Sequence, residues 1–333
     1  MKNAPHSLRG GGSCGTMGVE KSKFPKEAIP ISFLETLIEA TAWGMEKPKA
    51  YGPFHLIFTF VGLAVCILLA YLLRHTGKRG NKAVLLSVGI FLAVTELYKQ
   101  LFYYYYIGDH TYQWWIFPFQ LCSVPMYLCL IAPFLKEGKV QSAMYHFMTT
   151  FNLLGGLMAF IEPSGIVHEY WTLTLHAFLW HMMLIFVGFY LIASGRGAKT
   201  LKDYRSSVVL FLALAAMAFV INLIFWIPSE GDIKMFYVGP AISPLAVFKD
   251  IATACGWYVN TPIYLVAVSL GAYLLFLPVY LWERRKEKAL SKKVNHQAES
   301  GLALGSALLS GLTRTENNSH YMRYCNSEGN VVS

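Results

Sequence analysis

The chain has 333 residues, of which 55% are hydrophobic, 15% aromatic and only 14% charged, with a formal net charge of +9. Soluble domains carry about 25% charged residues, so this composition excludes an ordinary soluble enzyme and indicates a membrane protein. The positive excess lies mostly in the connections between apolar runs, where it records topology and attraction to anionic lipid head groups; no nucleic-acid partner is expected.

Residues 1–30 are rich in Gly, Ser and Lys without an apolar period, and are expected to be disordered. In residues 31–49 the stretch ISFLETLIEATAWGM spaces Phe33, Leu34, Leu37 and Ile38 at helical intervals, with Glu35 and Glu39 opposite. It is too short to cross a bilayer, so an amphipathic helix lying in the interface is expected.

The domain 50–282 contains seven apolar runs, over residues 54–74, 83–106, 114–135, 140–161, 170–194, 207–227 and 261–282. A hydrocarbon core about 30 Å thick requires ~20 apolar residues per helix, and these runs are too long for barrel strands. The predicted fold is therefore all-α: a polytopic bundle of seven transmembrane helices.

Lysine and arginine concentrate in alternate connections. Arg74, Lys78, Arg79 and Lys82 follow the first run, Lys136 and Lys139 the third, and Arg196, Lys199, Lys202 and Arg205 the fifth. Connections 107–113 and 162–169 have no lysine or arginine. Positive loops stay cytoplasmic, so the N-terminus is expected outside and the C-terminus inside a multi-pass protein of the cell membrane. Seven basic residues among the first 49, and Lys234 and Lys249 in the sixth connection, run against this alternation. The tail, 283–333, opens with Arg284, Arg285, Lys286 and Lys288 and is expected to be cytoplasmic and mostly disordered.

The six cysteines match neither a zinc pattern nor a disulfide framework, and neither a metal nor a cofactor is expected. Cys255, in an outer connection, is the one with a plausible disulfide fate.

Polar groups inside spans are costly and therefore informative. They are Glu96 and Lys99 in the second run, Gln120 and Cys122 in the third, Asn152 in the fourth, His176 and His181 in the fifth and Asn222 in the sixth; His146 lies apart, near the inner end. At 1.5 Å per residue, Cys122 lies roughly 10 Å below Trp115, His176 about 8 Å and His181 about 15 Å below Trp171, and Glu96 about 10 Å from the same outer face. This shared depth indicates a polar cavity opening outward. Each group also has a structural reading: Glu96 and Lys99, three apart, can pair with each other, and membrane asparagines commonly bond helix to helix.

Within FPFQLCSVPMYLC, Pro118 and Pro125 lack amide hydrogens and are expected to break the third helix on either side of Cys122. A thiol there needs a base or cation to become a nucleophile, and His181, His176 and Lys99 are the candidates. The two histidines, five apart, stand about 140° around a helix, so one of them serves.

His55, Glu96, FPFQLC, HAFLWHMMLIFVGFYL, Asn222 and the GWY of residues 256–258, in this order over residues 50–282, resemble the YwaF-like integral membrane proteins. In that pattern a Leu-Pro-x-His-Leu-Cys segment opens the third helix; here Gln120 stands at the histidine position and Cys122 at the cysteine. That family is similar to vertebrate acyltransferases that move fatty acyl chains between phospholipids without coenzyme A. The resemblance implies Cys122 as nucleophile and His181 as base, with a phospholipid and a lysophospholipid as partners. Lys99, or a tyrosine among 103–106, would stabilise the oxyanion, and Gln120 or Asn222 would donate a hydrogen bond. His176, Asn152 and His55 join the supporting set. The rival is a non-enzymatic transporter or receptor holding a small solute between Glu96, Lys99 and Asn222.

Overall fold

The computed structural model describes residues 33–322. The expected disorder of residues 1–30, and Cys14 and Cys325, lie outside these. Among the described residues the regular structure is helical, with one isolated bridge between Gly44 and Tyr170.

Helix α1 is short, Phe33–Glu39. It buries Ile38 among Phe102, Tyr103, Ile116 and Leu173, while Phe33 and Leu37 stay exposed. The chain after it runs irregularly to Gly52, occupying less of 31–49 with helix than the sequence predicts. Helix α2 (Pro53–Leu73) starts with proline in its first turn, where a missing N–H costs nothing. Ile57, Phe60, Val61 and Leu72 on α2 face outward, an apolar face suited to lipid.

Helix α3 (Lys78–Phe102) ends in a π turn over Tyr103–Ile107. Helices α5 (Lys139–Thr149) and α6 (Phe151–Ile161) form one membrane-length element bent at Thr150, where φ −121° and ψ −82° leave the helical region. Thr149 and Thr150 donate their hydroxyls to the His146 carbonyl, satisfying an acceptor that the bend disturbs. Helix α7 (Trp171–Ala193) packs against α2, α3, α5 and α6, and buries residues on all its faces, as the central column of a bundle does.

Helix α8 (Leu201–Ile224) opens on a capping box. The Asp203 amide donates to Thr200 Oγ1 at 3.2 Å and the Thr200 amide donates to Asp203 Oδ2 at 2.9 Å. It therefore starts six residues earlier than its apolar run, the box overriding the polar composition of 201–206.

The third expected span is not one membrane-length helix. A 3₁₀ turn covers Trp114–Ile116, the chain is non-helical through 117–123, and helix α4 (Val124–Ile131) extends by another 3₁₀ turn to Phe134. Those 11 helical residues rise ~16 Å, short of a ~30 Å core. The correction concerns the prolines. Pro125 lies in the first turn of α4, where amides have no intrahelical partner, so it begins a helix instead of kinking one. Among the described residues six helices, not seven, are long and apolar enough to cross a membrane.

The connection after α8 contains helix α9 (Ala246–Cys255) and leads to α10 (Trp257–Met322). Helical backbone continues through the basic stretch 284–293, where the sequence predicts a disordered tail. Before α9, residues Ile233, Met235, Phe236 and Val238 fold inward and are fully or almost fully buried. Phe236 joins a column of stacked rings: Phe147 to Phe151 at 5.5 Å, Phe151 to Phe211 at 4.3 Å, Phe211 to Phe236 at 6.2 Å and Phe236 to Phe119 at 5.8 Å between centroids. Such contacts add ~0.5–1.5 kcal/mol each beyond area burial, and here they tie the loop to the non-helical segment beside Cys122.

Candidate functional site

Helix α3 brings Glu96, Lys99 and Gln100 onto one face through i, i+3 and i+4 spacing. Lys99 Nζ lies 2.9 Å from both Glu96 carboxylate oxygens. Gln100 donates from Nε2 to Glu96 Oε1 at 2.7 Å and to the Ile116 carbonyl at 2.8 Å, which anchors the 3₁₀ turn to α3. Glu96 is thus a buried, fully partnered carboxylate, the arrangement that makes a charge tolerable at membrane depth. The Lys99 side chain keeps 20% of its surface accessible, and its ammonium also lies 5.9 Å from the Trp180 ring centroid. Its positive charge reaches Cys122, His176 and His181 alike.

Cys122 lies on the non-helical segment and is partly accessible, whereas Cys66 and Cys129 are buried. Its carbonyl accepts the Trp180 indole N–H at 3.0 Å. Trp180 precedes His181 and faces His176, ring centroids 5.4 Å apart, so this bond ties the cysteine segment to the helix that carries both histidines. Tyr127 donates its hydroxyl to the Pro118 carbonyl at 2.7 Å and closes the segment on itself.

The two histidines differ. His181 Nδ1 lies 2.7 Å from the Ala177 carbonyl. A carbonyl only accepts, so Nδ1 carries the proton and Nε2 the lone pair, the tautomer a general base requires. His176 Nδ1 is buried without a partner. No hydrogen bond joins Cys122 to either imidazole among the described residues; their link runs through Trp180 and Lys99.

Gln120 and Asn222 hold backbone. Gln120 Oε1 accepts from the Phe236 amide at 3.1 Å and its Nε2 donates to the Lys234 carbonyl at 3.2 Å. Asn222 Oδ1 accepts from the Met235 amide at 2.8 Å, and its Nδ2 donates to the carbonyls of Met235, at 2.9 Å, and Val238. Together the two amides pin residues 234–238 into the bundle. Asn152 on α6 donates to the Met148 and Leu184 carbonyls at 3.0 Å each, joining α6 to α7 away from the cluster. His55 is 1% exposed with both ring nitrogens unpartnered, boxed by Tyr51, Phe160 and Phe178. Phe160 also lies 6.5 Å from His181.

Residues outside the spans feel the same cluster. Burial, then the positive charges of Lys47 and Lys99, push His168 down to about 4, so this imidazole is neutral at physiological pH. Burial, reinforced by Glu96 and Tyr127, pushes the Tyr112 hydroxyl up to about 12. Trp180 escapes a reading based on polar residues in apolar runs because it counts there as aromatic packing, and Tyr237 escapes it because it lies in the connection between two runs. Gln100 was visible at i+4 from Glu96.

A cleft of about 420 Å³ opens at the other end of the bundle, lined in part by Ala198, Lys199, Trp282, Glu283 and Lys286. It reaches α7 only at Ile192 and Ala193, ~16 Å along the helix from His181, and holds neither histidine nor cysteine. The cluster around Cys122, not this cleft, is the candidate site.

No curated protein and no solved structure matches the chain. The TMEM164 family model matches residues 50–280, the six membrane-length helices' apolar core and the broken segment between them. The chain is a multi-pass membrane protein that belongs to the TMEM164 family.

Proposed function

We propose that the protein is an acyltransferase of the cell membrane that moves fatty acyl chains between phospholipids, with Cys122 as nucleophile and His181 as general base. The observation that carries this reading is the Trp180 bond to the Cys122 carbonyl, which fastens the half-buried cysteine residue to the helix bearing a histidine of basic tautomer. His181 Nε2 takes the thiol proton, and the thiolate attacks the ester carbonyl carbon of a phospholipid. The C–O bond breaks, the lysolipid oxygen leaves with the proton from His181, and the acyl chain remains on sulfur as a thioester. A second lysophospholipid then gives its hydroxyl proton to His181 and attacks the thioester; the departing thiolate recovers that proton. The Lys99 ammonium favours each anionic stage, and Glu96 keeps that charge in place. No separate electron donor or acceptor is needed.

Basic connections facing anionic head groups on the cytoplasmic side, with an external N-terminus, complete the proposal. A solute carrier built on Glu96, Lys99 and Asn222 has less support, since Asn222 uses both its amide atoms on the loop and Glu96 is occupied by Lys99 and Gln100. The test is acyl exchange between isotopically labelled phospholipid and lysophospholipid in proteoliposomes of the full chain. Cys122→Ala and His181→Ala are expected to abolish exchange while remaining folded. Unchanged exchange in Cys122→Ala overturns the reading.

A further inference from the structure

Phe236 and Tyr237 are consecutive non-glycine residues with φ of 52° and 53°. Left-handed backbone at bulky residues costs of order 1–3 kcal/mol each and persists where surrounding structure enforces it. Gln120 and Asn222 supply that enforcement from both sides, as five side-chain hydrogen bonds to residues 234–238, while Phe236 is locked between Phe119 and Phe211. Packing of Phe236 alone requires no unusual φ at the next residue. The second left-handed residue sets the direction of Tyr237.

The same clamp ties the backbone next to Tyr237 to the segment that carries Cys122. Gln120, two residues before Cys122, grips the loop on either side of Met235, immediately ahead of Tyr237. Tyr237 and Tyr264 pack edge to face at 6.3 Å, and both interact electrostatically with Cys122. Neither hydroxyl has a protein hydrogen-bond partner among the described residues, and neither is an inaccessible orphan. Tyr237 is the one whose backbone is strained to present it. Burial, then Cys122, pushes its hydroxyl up to about 12, so it keeps its proton and can donate.

We propose that Tyr237, presented by the Gln120 and Asn222 clamp, is a catalytic residue that donates a hydrogen bond to the acyl carbonyl oxygen as Cys122 attacks. This rests on the acyl-transfer reading. The Tyr237 proton stays on its own oxygen throughout. The developing oxyanion accepts the bond, and when the tetrahedral intermediate collapses the carbonyl reforms and the bond weakens. A neutral donor complements Lys99, whose charge is already shared with Glu96.

The experiment compares Tyr237→Phe, Tyr264→Phe and Cys122→Ala with the parent chain in proteoliposomes. Removing one oxyanion donor costs roughly 10²–10³ in kcat. Tyr237→Phe is expected to lose ~100-fold in kcat with KM changed less than about threefold, while Cys122 alkylation by iodoacetamide and the melting temperature in detergent stay at parental values. Phenylalanine keeps the ring, so a role in packing alone leaves both kcat and the melting temperature near parental values. Cys122→Ala inactive with Tyr237→Phe within threefold overturns this proposal and leaves the acyl-transfer reading standing; a ~100-fold loss in Tyr264→Phe alone overturns it too. Active Cys122→Ala overturns the underlying reading instead.

Discussion

The indole of Trp180 donates to the carbonyl oxygen of Cys122 at 3.0 Å, and this one bond crosses from the central helix to a non-helical segment whose local backbone bonds are those of a turn, Ser123 N–H to the Gln120 carbonyl at 2.8 Å among them. The peptide is thus positioned by a neighbour and not by its own regular structure. The same indole has the Lys99 ammonium 5.9 Å from its ring centroid, so position and charge around the cysteine depend on one side chain.

Trp180→Phe keeps an aromatic ring and removes the donor. A buried carbonyl left without a partner costs about 1–3 kcal/mol, and the segment gains freedom around Cys122. Exchange activity is expected to fall at least tenfold, with the melting temperature in detergent lowered by a few degrees. Parental activity in this variant removes the tether from the mechanism.

Glu96→Leu strands Lys99 in a mostly buried setting. Breaking such a pair from one side costs ~3–5 kcal/mol, whereas replacing both partners with apolar groups is often tolerated. The Glu96→Leu chain is expected to lose most of its folded yield, and the double variant Glu96→Leu/Lys99→Met to recover it while remaining inactive. Fluorescence-detected size-exclusion after heating measures the first effect, and lipid exchange the second. A double variant less stable than the single one contradicts the pairing argument.

Asn222→Ala removes three hydrogen bonds that hold residues 235–238. The strained turn at Phe236 and Tyr237 then loses one side of its clamp, so amide exchange of residues 233–238 is expected to rise more than tenfold. Helix α7 should keep its protection, since it packs chiefly on α2, α3, α5 and α6. Mass-spectrometric hydrogen exchange in detergent reads both regions at once, and equal protection of the loop in the two proteins refutes the clamp.

The membrane class, the positions of five of the long helices to within a few residues, and the Glu96 to Lys99 pair were legible in the sequence. Each depends on local properties: twenty apolar residues define a helix in hydrocarbon whatever its neighbours, and an i, i+3 spacing brings two charges together whatever surrounds them. The depth of Cys122 rested on a helical rise, as did those of Glu96 and the histidines, and that rise does not apply to the non-helical segment 117–123.

Tertiary structure decided the rest. Hydropathy counted residues 114–135 as a span, since apolar character is blind to whether the chain is helical or extended. The chain here is held instead by Gln100, Trp180 and Lys234, which come from three distant places in the sequence. Gln120 and Asn222 read alike as polar lining; the inward fold of residues 233–238 turned both into backbone clamps, and long-range partners of that kind leave no local periodicity. By itself the sequence determined which segments lie in lipid and which polar groups must find partners there, because desolvation penalises each residue individually. Which partners they found followed only from packing the loop into the bundle, where the energies belong to pairs of residues far apart in the chain.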